Sequence, residues 1–76
     1  MRDETLEPLV KKVKKEMDKR YWNEKVLAIE SDIKKSSVIK FLNCDNNITL
    51  HELFQIAHAV GYRITIKLVP IKGKDN

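Results

Sequence analysis

Two groups of residues in this chain have side chains of the types that chemistry needs. The first is Cys44, His51, Glu52 and His58, which could bind zinc or build a nucleophile–base pair. Their spacing defeats both uses. A zinc-protease helix carries H-E-x-x-H, but the histidine that follows His51-Glu52 is His58, too far along for the same turn-to-turn pairing. Cys44 and His51 supply two ligands and no set of four. Beside a histidine base, Cys44 lacks a third orienting group and a glycine-rich oxyanion loop. No phosphate loop or dinucleotide fingerprint occurs. The expectation is a protein that is not an enzyme, with no catalytic residues, metal or cofactor.

The second group is the window from Ile33 to Cys44, which holds Lys34, Lys35, Ser36, Ser37, Lys40 and Asn43 and no acid. The acids gather elsewhere, with Asp3, Glu4 and Glu7 at the start and Glu24, Glu30 and Asp32 ahead of the window. Lysines reach guanine O6/N7 or phosphate, hydroxyls bond to many acceptors, and an aliphatic such as Ile39 can touch a thymine methyl. These are the groups that read the edges of double-stranded DNA. The whole chain, with 15 Lys/Arg against 11 Asp/Glu and a net charge of +4, favours polyanions in the same sense. Such an excess also serves solubility, so its distribution decides more than its sum.

The elements that must hold this window follow from periodicity. Seventy-six residues, 42% of them hydrophobic, make one small domain with a modest core and argue against disorder. Two glycines leave little room for a loop-rich β fold. Leu6, Leu9, Val10, Val13 and Met17 recur at helical spacing, so a first helix runs from near Thr5 to near Arg20, with Pro8 tolerable only in its first turn. Its remaining faces carry Lys11, Lys12, Lys14, Lys15 and Lys19, a solvated surface whose edge can meet phosphate. Asn23 caps a second helix, with Val26 and Leu27 inward and Ile29 as a third candidate. A break at Ser31-Asp32 precedes a third helix that buries Val38, Phe41 and Leu42, and Asn43 to Asn47 form a loop.

Thr49 and Glu52 then form a T-x-x-E capping box, with Ile48 and Leu53 at staple positions. Leu50, Leu53, Phe54, Ile56, Ala57 and Val60 line the fourth helix, which Gly61 stops. After Gly61 the period changes to two. Tyr62, Ile64, Ile66 and Leu68 share one face of a strand over 62–69, and Pro70 ends it before a flexible tail, 70–76. A lone strand leaves its backbone groups unpaired. Its simplest partner is its own copy, antiparallel across a two-fold axis, which makes Tyr62, Ile64, Ile66 and Leu68 dimerisation residues. The alternative is an extended tail lying on the domain's own core. Cys44, the only cysteine, precludes an intrachain disulfide. No segment has the length and apolarity of a membrane span or signal peptide, so the expected setting is cytoplasmic, with no membrane partner.

The run Trp22 to Ala28, followed by Asp32 to Asn43, resembles the helix-turn-helix of the lambda-repressor-like (Cro/CI, or XRE) family. Thr49-Leu50-His51-Glu52-Leu53-Phe54-Gln55-Ile56-Ala57-His58-Ala59-Val60-Gly61 is similar to that family's next segment, T-L-x-x-L-x-x-I-A-x-A-L-G. The resemblance covers about residues 5–69. It implies an all-α, four- to five-helix DNA-binding domain over 1–69, with the C-terminal strand paired across a dimer. Lys34, Lys35, Ser36 and Lys40 match base-facing or adjacent positions of the family. Asn23 and Asn43 match positions that grip phosphates at helix ends. With Ser37 and Ile39 these are the expected DNA-binding residues. Two positions depart from the pattern. Asp32 holds the turn position usually given to glycine, and aspartate tolerates the left-handed conformation. Cys44 stands where glycine often follows the recognition helix, so Asn43 is expected to take the left-handed role.

The function so implied is a homodimeric transcriptional repressor, of its own operon, on a palindromic operator. The segment A-V-G-Y-R-I-T-I-K-L also resembles the ending of small antitoxins, which would add a protein toxin as partner. A phage regulator fits equally, and an adaptor that lends its strand to another sheet is a third reading.

Overall fold

The structure, a computed structural model, describes residues 3–73. A 3₁₀ turn, Glu4–Leu6, leads into four α-helices: α1 Glu7–Arg20, α2 Glu24–Ser31, α3 Lys35–Leu42 and α4 Leu50–Ala59. The fold class is all-α. Each start has a local cause. Asp3 accepts a 2.9 Å hydrogen bond from the Thr5 amide, and Pro8 sits in the first turn of α1, where its missing N–H costs nothing. The Asn23 side chain accepts from the Val26 amide at 2.9 Å. Thr49 and Glu52 form the reciprocal capping box, with bonds of 3.1 and 2.8 Å.

All four helices also end alike. A residue two or three positions past each end donates to the carbonyl five residues before it: Trp22 to Met17, Ile33 to Ala28, Asp45 to Lys40 and Tyr62 to Ala57. The residue before it donates to Asp18, Ile29, Phe41 or His58, which completes a Schellman motif. The motif needs a left-handed residue, and Gly61 supplies it for α4 at φ 85°. Elsewhere Tyr21 (φ 57°), Asp32 (φ 56°) and Cys44 (φ 58°) take that conformation without being glycine. The expectation for Asn43 is corrected here: it stays at φ −92°, and Cys44 turns left-handed. The cysteine is held there by the Asp45–Lys40 bond and by its carbonyl, which accepts from the Asp3 amide at 2.6 Å.

One cluster forms the core. Leu6, Val10, Val13 and Met17 come from the amino-terminal stripe, Leu27 and Ala28 from α2, Val38 and Phe41 from α3, and Ile56 and Val60 from the end of the chain's helical part. α2 packs against both α3 and α4. Ile29, the third candidate for the inner face of α2, is 65% exposed. It lies two positions, or about 200°, around the helix from fully buried Leu27. The eight-residue α2 buries Ala28 and Ser31 instead. Leu50, in the first turn of α4, is likewise more than half exposed.

Among the described residues no strand forms. Residues 62–71 carry neither helix nor ladder, and beyond Thr65 they leave the body as an exposed arm. The molecule is accordingly elongated, 48 × 24 × 19 Å, with a radius of gyration of 14.0 Å. A compact domain of this length would have about 11 Å. The arm's root is fixed by Arg20, whose guanidinium bonds the Glu16 carboxylate, donates to the Val60 carbonyl at 3.4 Å and lies 5.4 Å from the Trp22 ring centre. Of the expected tail, residues 70–73 are exposed, and 74–76 lie outside the described residues.

Candidate nucleic-acid interface

α2 and α3 are joined by three residues, Asp32, Ile33 and Lys34. The turn is tight because Asp32 is left-handed and Ile33 packs against the core. α3 then buries Ser37, Val38 and Phe41. What remains outward is Lys34, Lys35, Ser36, Ile39 at 40% exposure, and Asn43. Lys34 is the N-cap of α3 and gives it no side-chain cap bond. The first turn of α3 holds no acid. The exposed face therefore presents two ammonium groups, a hydroxyl, an amide and one aliphatic side chain on a single short helix.

Ser37 does not belong to this face. It is buried, and its hydroxyl donates to the Glu52 carboxylate. The reason is angular: Ser37 stands four residues before Phe41 and so on the same side of the helix, while Ser36 is turned about 100° away. The correction gives Ser37 a positioning role. Glu52 closes the α4 capping box with one oxygen and holds α3 with the other. The Ser37 hydroxyl, and then the Thr49 amide, keep the Glu52 carboxyl below the ordinary glutamate range. A second tie runs from the Gln55 amide to the Ser31 carbonyl at 3.2 Å, joining α4 to the end of α2. Sequence reading saw Glu52 only as a cap and missed Gln55. The T-x-x-E signal marks the first; no local signal marks the second.

Lys40 is half-buried rather than fully outward. Folding also brings it near the carboxylates of Asp45 and Glu52, whose protonation its charge disfavours, so the acid-free window is less isolated in space than along the chain. Asn23 is exposed at the start of α2, with its side-chain oxygen engaged by the Val26 amide.

The four arm residues are divided. Tyr62 is 44%, Ile66 56% and Leu68 98% exposed, whereas Ile64 is half-buried and lines a cleft against α1 and α4. His51 and His58 are both exposed and Cys44 is buried, and the described residues contain no group of three or more metal-ligating side chains. No described helix is long and apolar enough to cross a membrane. Compared with known proteins, the chain matches no family model, no curated protein and no solved structure.

Proposed function

We propose that this chain is a sequence-specific DNA-binding regulator of transcription, a dimeric repressor of its own operon that sets α3 in the major groove of a palindromic operator. The observation that carries the reading is the outward face of α3. Lys34, Lys35, Ser36, Ile39 and Asn43 stand exposed on a helix clamped from behind by Val38, Phe41 and the Ser37–Glu52 bond. Lys35 and Ser36 meet base edges, and Asn23, Asn43 and Lys40 meet phosphate. The apolar, exposed arm supports pairing of two copies through residues 62–69, with Tyr62, Ile66 and Leu68 outermost. In such a dimer the two recognition helices enter grooves roughly 34 Å apart.

In vitro selection from random duplex DNA tests the reading. The expected product is a two-fold symmetric site bound with a steep loss of affinity on raising salt. Recovery of no preferred sequence would sink it. Light scattering that returns a monomer at tens of micromolar would remove the dimer alone. A second reading, an antitoxin that also covers a protein toxin, draws on the same arm, since Leu68 and Val69 at 98% and 76% exposure suit any apolar partner. Co-purification of a stoichiometric small protein from the native host would favour it.

A further inference from the structure

A cleft of about 260 Å³ lies between α1, α4 and residues 62–65, away from the recognition helix. Its apolar wall includes Leu9, Val13, Leu53 and Ile64, and its charged residues are Lys12 and Arg63, with no carboxylate among those that line it. None of the residues expected to touch DNA borders it. We propose that this cleft docks an acidic amphipathic segment of a partner protein, whose apolar side chains enter between α1 and α4 while its carboxylates meet Lys12 and Arg63.

Charge selects the occupant. Lys12 and Arg63 are exposed, and Lys15, also exposed, stands one turn along α1 from Lys12. The one nearby acid on α1, Glu16, is already engaged by Arg20 and Lys19. A second copy's arm has the apolar residues to fill such a cleft, but it brings Lys67 and Lys72 with them, and like charges across an interface cost affinity. Duplex DNA offers only isolated thymine methyls behind a polyanionic backbone, too little apolar surface to cover the wall formed by Leu9, Val13 and Leu53. The volume also falls below the roughly 300–1,000 Å³ of pockets that enclose small molecules. A helix presenting apolar anchors one turn apart, flanked by glutamates, satisfies wall and rim together.

The test uses the full chain and fluorescein-labelled helical peptides of about fifteen residues, long enough to form a helix on binding. One carries leucines at i, i+4 spacing among glutamates. A second replaces each glutamate with lysine, and a third replaces each leucine with serine. Fluorescence anisotropy should show saturable binding of the first, about tenfold or more tighter than either control. The double variant Lys12→Glu, Arg63→Glu changes two exposed side chains, its fold being checked by circular dichroism, and should transfer the preference to the lysine peptide. Equal affinities, no saturation, or an unchanged preference in the double variant would overturn the proposal. So would amide shifts at Leu9 and Val13 that follow protein concentration and ignore peptide, since they would give the cleft to a second copy. The assay contains no DNA, so its failure leaves the DNA reading standing.

Discussion

Replacing Tyr21 with glycine should make the protein more stable, although glycine ordinarily weakens a helical protein. Tyr21 closes α1 at φ 57° and ψ 37°, in the left-handed region, and its side chain is 95% exposed. That conformation costs a residue with a Cβ about 1–2 kcal/mol. Glycine removes the cost and adds about 0.5–1 kcal/mol of chain entropy to be lost on folding. The exposed ring contributes almost no burial, so the balance is a gain of roughly 0.5–1 kcal/mol. For a domain of this size that raises the melting temperature by about 3–6 °C. Thermal and urea unfolding followed by far-UV circular dichroism measure it, and the urea midpoint should rise at constant slope. Tyr21→Ala is the control, because alanine bears the same backbone cost and should leave stability nearly unchanged. A loss of stability in Tyr21→Gly, or an equal gain in Tyr21→Ala, would refute the account. Cys44→Gly should not share the gain, since Cys44 is only 3% exposed and its side chain would leave a void in the core.

Three further outcomes follow from particular contacts. The Ser31 hydroxyl is buried with no hydrogen-bond partner, so Ser31→Ala should stabilise by about 1 kcal/mol in urea unfolding, and a loss would show that the hydroxyl is satisfied in solution. The Glu52 carboxyl is held below its ordinary value, so its stabilising contribution is full above about pH 4.3 and is lost as pH falls through the lowered folded value. Glu52→Gln should therefore flatten part of the acid limb of stability against pH, Asp3, Glu16 and Asp45 supplying the rest because their carboxyls are lowered too. On selected DNA, Lys35→Ala or Ser36→Ala should change the preferred sequence at a cost of about 1–3 kcal/mol, whereas Lys40→Ala should weaken all sequences alike and lower the salt slope by about one.

The helix starts were legible because caps are short-range. Asn23 and Thr49 bond to amides within three residues, and that is visible in the order of side chains alone. The outward face of α3 was legible except at buried Ser37 and half-buried Lys40. In an eight-residue helix the assignment of Ser36 outward and Ser37 inward depends on where Phe41 points, and adjacent residues differ by about 100°. The left-handed Cys44 was illegible for another reason. No propensity favours it, and the bonds that hold it come from Asp45 and from distant Asp3. The acids near Lys40 are likewise brought in by a loop and a later helix. The arm shows its period of two in sequence, but a ladder needs a second set of backbone groups, and among the described residues the chain supplies none.

That arm has a bearing on the protein's turnover. Lys67 and Lys72 stand in an exposed stretch without helix or ladder, the kind of segment proteases enter first. A copy whose arm is covered withholds those lysines, and a copy whose arm is bare offers them. Under the proposed pairing of two copies, the rate of tryptic nicking between Ile66 and Gly73 would read out the free fraction at each concentration. In a cell, that pairing would make dilute, solitary chains the short-lived ones, so that lifetime would rise with abundance.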